Sequence, residues 1–223
     1  MRPSALLLAL AASCTLVHAK TERTYYTEEK LAGAREKIEK YDWARGQLDG
    51  AKSSCEWLLE MSDQELWDFV PPPEALRALN VSFGRGCPAH GKEVFRKGGH
   101  YPWIMSRERP FKVKCPAGGE EYPSNDYEPW NLESLSDEPE RGEPIVDKGA
   151  GWVDEAGNRY FFVAHYIVLE PMKNDVLPAV RSLGQAYLLS GDPVYAHKCA
   201  VLMARLAQVY EGFDYPTQAY HNG

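Results

Sequence analysis

Apolar residues return every three or four positions through two long stretches of the chain and lose that rhythm between them. The rhythm is clearest in residues 174–210. A helix is predicted from about Val176 to Ser190, with Val180, Leu183 and Tyr187 at helical spacing. Ser190-Gly191-Asp192-Pro193 then reads as a turn. Gly leaves the first helix, Asp caps the second, and Pro takes its first position. The second helix carries Tyr195, Cys199, Leu202, Leu206 and Val209 on one row and Ala196, Ala200, Met203, Ala207 and Tyr210 on the next. Two adjacent apolar rows form a wide face that packs on more than one neighbour. A lone αα-hairpin cannot bury it, so partner hairpins are expected, stacked as a solenoid or closed as a toroid.

The first helical stretch lies upstream. Thr27 can cap a helix through Tyr41, with Glu28 and Glu29 at its positive end and Leu31, Ala34, Ile38 and Tyr41 on one stripe. A second helix is predicted from about Asp42 to Glu60, with Leu48, Ala51, Cys55, Leu58 and Leu59 inward. Ser62-Asp63-Gln64-Glu65 is a capping-box pattern that opens a short third helix, and Pro71-Pro72-Pro73 stops it. Asn80-Val81-Ser82 is a glycosylation sequon.

Between residues 84 and 151 Gly and Pro recur and no long periodicity survives. Trp103, Ile104, Phe111, Tyr122, Tyr127 and Trp130 are too many large residues for a solvated linker, although disorder is the simpler alternative. Residues 151–163 read as a β-hairpin turning at Gly157-Asn158, followed by Ala164-His165-Tyr166.

Charge changes the picture locally. The 223 residues carry 25 Lys+Arg against 32 Asp+Glu, a net of −7, which argues against a general nucleic-acid binder. Residues 84–115 hold eight basic residues against Glu93 and Glu108, whereas residues 120–155 hold twelve acidic residues against Arg141 and Lys148. The two segments either pair with each other or present a basic surface to a polyanionic chain, with Arg107 and Arg109 suited to clamping carboxylates. Residues 1–19 read as a secretory signal: Arg2, an apolar core, then Val17-His18-Ala19. A lipoprotein signal ending at Cys14 is the alternative. Export to the periplasm or medium follows, with no segment long enough to span a membrane.

The cysteines form a framework of their own. Cys87-Pro88-Ala89-His90-Gly91 and Cys115-Pro116-Ala117-Gly118-Gly119 are matched knuckles. Paired C-P-x-C-G knuckles are what a zinc ribbon uses, because each turn aims two ligands at one ion. Here Cys87, His90 and Cys115 are the ligand candidates, Gly118 stands in the fourth place, and another side chain (His100 or an acidic residue) or a water would have to complete the set. A structural zinc, a Cys87–Cys115 disulfide and free thiols all remain open. Cys55 and Cys199 lie on apolar helix faces and read as buried small residues.

Residues 183–214, LGQAYLLSGDPVYAHKCAVLMARLAQVYEGFD, resemble an early toroid hairpin of the heparinase II/III-like and alginate-lyase superfamily. The knuckles with Tyr122-Pro123-Ser124-Asn125-Asp126 resemble N-terminal segments of the same proteins. The resemblance implies a mainly α fold: a partial (α/α) toroid with an irregular Gly/Pro-rich insertion and a small β-hairpin. It divides the chain into a signal peptide (1–19), N-terminal helices (20–83), a loop-rich knuckle region (84–151), and a β-hairpin with the start of the toroid (152–223). It also implies that the chain is truncated, since the family's toroid is longer and is followed by β-sandwiches.

The activity so implied is polysaccharide lyase chemistry, β-elimination on a uronic-acid polymer, with no cofactor required. The reaction needs a group to neutralise the carboxylate, a base for the C5 proton, and an acid for the leaving oxygen. His165 and Tyr166 have suitable types, as do Tyr220-His221-Asn222, but a structural His-Tyr at a strand end is the simpler reading. The family's main catalytic motifs would lie beyond Gly223. Arg107, Arg109, Trp103 and Trp152 are the expected contacts to an acidic polysaccharide. A non-catalytic exported helical module that binds glycan or protein is the alternative.

Overall fold

Local signals start the helices. The Thr27 hydroxyl accepts from Lys30 N, and helix α1 runs Glu28–Lys40 with acidic residues in its first turn and lysines in its last. After Tyr41, α2 runs Asp42–Leu59, and Ser62 and Glu65 close a full capping box on α3, Asp63–Asp68. The computed structural model describes residues 24–82, 84–128 and 138–213. The expected leader, Trp130 and residues 220–222 lie outside them.

About half of the described residues are helical. Helix α4, Glu93–Gly98, interrupts the stretch expected to lack helix. The β-structure is slight. β1 (Val113–Lys114) pairs antiparallel with β2 (Glu121–Tyr122). β3 (Glu140–Arg141) lies parallel to β4 (Trp152–Val153), which pairs antiparallel with β5 (Arg159–Tyr160) across the expected Gly157-Asn158 turn.

A long helical segment follows: α5 (Phe162–Ile167), a π-helical stretch (Val168–Val176) containing Pro171, and α6 (Leu177–Ser190). His165 and Tyr166 therefore sit in a helix and not at a strand end. Every residue of α5 is buried, and an apolar run hidden on all sides has no period to separate helix from strand. Gly191 at φ 77° ends α6 in the left-handed region, and the Asp192 carboxylate accepts from Val194 N to start α7, Pro193–Tyr210.

Two cores result. In the helical half α2, α6 and α7 enclose Cys55, Leu58, Leu183 and Leu202, with Leu66 from α3. Complete burial of each of those leucines contributes about 2 kcal/mol. Lys198 Nζ donates to Met61 O at 2.6 Å, and His197 Nε2 lies 2.7 Å from Asp63 Oδ2, which ties α7 to α3. Arg35 donates to Leu188 O near the end of α6, where carbonyls lack helical partners.

The second core gathers Cys87, Trp103, Val113, Cys115, Tyr122, Tyr160 and Phe162, so the knuckles and the β4–β5 hairpin share one interior. Asp147 stitches this half together. It is fully buried; its Oδ1 accepts from Gly149 N and Gly151 N, and its Oδ2 accepts from Val163 N. Burial pushes its carboxyl up, and the backbone donors oppose that shift. The sequon is interior too: Asn80 is 3% exposed, which leaves no room for a glycan on the folded chain.

Candidate functional site

Where the two cores meet, a groove of about 450 Å³ opens. One wall comes from the helical half: Glu65 and Asp68 of α3, Phe69, and Pro171 and Asp175 from the π-helical stretch. The other comes from the loop between Ile104 and β1, which brings Arg107, Pro110 and Phe111; Tyr166 of α5 also lines the groove. That loop is closed at its base by reciprocal backbone hydrogen bonds between Ile104 and Lys114, at 3.0 and 2.8 Å. Phe111 adopts φ 60°, unusual for a bulky residue, and its ring packs 5.2 Å from Tyr127 and 5.1 Å from Tyr166.

Arg107 bridges the halves. Its Nε lies 3.2 Å from Asp175 Oδ1, and its guanidinium sits 4.0 Å from the Trp57 ring centroid on α2. Asp175 is 6% exposed, and its Oδ2 is buried without a hydrogen-bond partner. Burial raises the Asp175 carboxyl to about 6, against the pull of Arg107. The Tyr166 hydroxyl donates to Ser106 O at 3.4 Å, and burial pushes its pKa up.

Of the expected substrate contacts, Arg107 and the catalytic candidate Tyr166 come together here. The others lie elsewhere. Trp103 is 5% exposed and packs edge-on against Tyr122 and Phe162, so it offers no face to a sugar. Trp152 is equally buried and donates its indole N–H to Gly142 O. Arg109 pairs with Glu121 and Lys112 with Asp126, so part of the basic segment is neutralised by the acidic one. His165 is wholly buried, with Nδ1 3.1 Å from Leu79 O. Burial lowers its pKa to about 4, and the Leu79 hydrogen bond opposes this. Such a ring stays neutral and out of a substrate's reach.

The knuckle residues do converge. One ligand atom each from Cys87, His90, Cys115 and Glu120 lies within 4.8 Å of all the others. His90 Nδ1 is 3.8 Å from both sulfurs and 3.3 Å from Glu120 Oε2. Both cysteines are free thiols. The first knuckle is a turn closed by Gly91 N donating to Cys87 O at 2.8 Å; the second is the loop of the β1–β2 hairpin, closed by Cys115 N donating to Glu120 O at 2.8 Å. Burial pushes the Cys87 thiol up, while the Tyr122 hydroxyl at 3.6 Å and the backbone N–H groups of His90 and Ala89 pull the other way. His100 is not among the four.

Sequence reasoning anticipated three of these four, and the fourth only as an unspecified acidic residue. It missed Asp175 and Trp57, whose roles depend on contacts far along the chain, and Asp147, whose carboxylate holds backbone amides both near and distant. No helix among the described residues is long and apolar enough to cross a membrane. No protein-family model, no curated protein and no solved structure matches this chain.

Proposed function

We propose that this chain is a glycan-binding helical module, and that a short stretch of sugar chain lies in the groove between α3 and the Arg107 loop. One observation carries the reading: the groove sets apolar surfaces (Phe69, Phe111, Pro171) beside a few convergent polar groups, Arg107, Asp175 and Tyr166. Sugar rings need that combination, flat apolar faces against aromatics and hydroxyls against fixed carboxylates and guanidinium. Arg107 is the one cation among the described lining residues, against Glu65, Asp68 and Asp175. That balance suits hydroxyl-rich sugars with sparse carboxylates better than a dense polyanion.

The elimination activity implied by the resemblance is the second reading. It is favoured by Arg107 and Tyr166 sharing one groove, a carboxylate clamp beside a phenol. On either reading, α6–α7 is a hairpin on which another helical hairpin would pack. The second apolar row of α7 is where it would pack, since Met203 and Tyr210 are exposed.

The test is a titration of the full chain with neutral and uronate oligosaccharides, read by Trp57-sensitive fluorescence and by calorimetry. Binding of at least one class, weakened tenfold or more by Arg107→Ala, is expected. No binding across the panel would end the glycan reading. Unsaturated-uronate absorbance would separate the lyase from the binding module.

A further inference from the structure

We propose that Cys87, His90, Cys115 and Glu120 form a four-ligand zinc centre, with Glu120 in place of the fourth knuckle cysteine. The spacing already suits an ion. Zinc–ligand lengths of about 2.0–2.3 Å in a tetrahedron put sulfur and nitrogen about 3.5 Å apart, and nitrogen and oxygen about 3.4 Å apart. The observed separations are 3.8 Å and 3.3 Å.

Glu120 Oε2 gives an independent sign. It is buried and makes no hydrogen bond, its near neighbour being His90 Nδ1 at 3.3 Å, although the rest of the residue reaches solvent. A carboxylate oxygen held that way calls for a positive partner, and an ion between it and the sulfurs supplies one.

Gly118 explains the substitution. It occupies the position at which a C-P-x-C-G knuckle carries its second cysteine. A β-carbon there would run into His90 Cε1 and both Glu120 carboxylate oxygens. The Glu120 side chain fills the volume that a cysteine at 118 would use, and only glycine leaves that volume open. The hairpin places Glu120 correctly, because Cys115 and Glu120 face each other across the loop that joins β1 to β2.

Around the ligands, the Tyr122 hydroxyl lies 3.6 Å from Cys87 Sγ and would donate to the metal-bound thiolate. Metal entry displaces the two thiol protons to solvent and leaves a centre of two thiolates, one neutral imidazole and one carboxylate. With all four positions taken by protein, the centre is structural and not catalytic. It pins the turn before α4 to the end of β1, and so holds the base of the loop that carries Arg107.

The experiment uses the full chain purified under reducing conditions without chelator. Elemental analysis is expected to find one zinc per chain. The chelator-stripped protein titrated with Co(II) is expected to give tetrahedral d–d bands and thiolate-to-cobalt charge transfer. Amide exchange in residues 113–122 should slow on metal binding. Cys115→Ser is expected to lose the thiolate bands in part and the zinc altogether. Glu120→Gln keeps side-chain length at a partly exposed site, so it carries the test should Cys115→Ser fail to fold. It is expected to keep the thiolate bands, shift the d–d bands and weaken binding at least tenfold. A protein that takes up neither metal, or one two thiols short on labelling after denaturation without reductant, overturns the zinc centre. A Glu120→Gln protein indistinguishable from the parent overturns the assignment of the fourth ligand.

Discussion

Arg107 Nε lies 3.2 Å from Asp175 Oδ1, and that ion pair joins the loop-rich half of the molecule to the helical half. The pair is unequal: the Arg107 side chain is half-exposed while Asp175 is buried. Burial wins over the attraction, and the Asp175 carboxyl titrates at about 6 against an ordinary 3.8.

A pH prediction follows from that value. A folded pKa above the unfolded one means that the native state holds the proton more tightly. This group therefore favours folding most below about pH 4, and that contribution is lost as pH rises through about 6. Asp175→Asn fixes the neutral form. The variant should exceed the parent in stability by on the order of 1–2 kcal/mol above pH 6 and converge on it near pH 4. Urea midpoints of both proteins between pH 4 and 7 check this. A variant that is less stable than the parent at pH 7 would show the ion pair outweighing desolvation.

Gly118 is predicted to tolerate no side chain while His90 and Glu120 hold their places. Gly118→Ala drives a methyl group into the His90 ring and the Glu120 carboxylate. Both are side-chain ends that can swing aside, so the cost to folding without metal is small. If those two residues are ligands, metal retention should fall at least tenfold. Thermal melts with and without added zinc measure both effects. A Gly118→Ala protein that melts and binds metal like the parent would remove the argument that Glu120 fills the missing cysteine's place.

Asp147 makes a prediction of stability alone. Its carboxylate joins Gly149, Gly151 and Val163 through their amides, and Asn125 clasps its backbone from both sides at 2.9 and 3.0 Å. Asp147→Ala strands three buried donors. Hydrogen bonds to a charged group contribute about 1.5–3 kcal/mol each. A loss of roughly 3 kcal/mol or more in urea unfolding is expected, with a smaller loss for Asn125→Ala. An unchanged midpoint for Asp147→Ala would contradict the buried network.

These residues also show which features the sequence could reveal. The caps at Thr27, Ser62 and Asp192 were legible because the cap and its N–H lie two or three residues apart. The C-P-x-H-G and C-P-x-G-G turns were legible for the same reason. Glu120 was only half legible: an acidic residue was one alternative beside His100 and water, and its place follows from the β1–β2 pairing. The groove was illegible, since Trp57, Glu65, Arg107, Tyr166 and Asp175 meet only after both halves have folded. Trp103 and Trp152 were expected as sugar contacts and are both buried, because residue type alone does not separate a core indole from an exposed one. Asp147 carried no signal, because all the donors to its side chain are backbone amides.

His165 titrates in the opposite sense to Asp175, and the difference can be measured. The ring is buried, Nδ1 reaches Leu79 O, and Nε2 has no hydrogen-bond partner. Burial lowers its pKa from 6.5 to about 4. Folding that requires a neutral ring is unopposed above pH 6.5. Below that, the unfolded chain takes up a proton that the folded one refuses, until about pH 4. The stability lost across this window is about 3 kcal/mol. His165→Asn places an amide N–H where Nδ1 stands, so it keeps a donor for Leu79 O, and it cannot titrate. It should therefore lose less stability than the parent between pH 7 and 4.5, whatever its starting value. Ring proton shifts give a second check: in the folded parent they should stay flat down to pH 5, and a midpoint near 6.5 would sink the assignment. A ring so held cannot exchange a proton with a bound sugar. Glycan binding, or any elimination activity, should survive His165→Asn as long as the protein is kept near neutral pH, and its selective loss would place His165 among the catalytic residues.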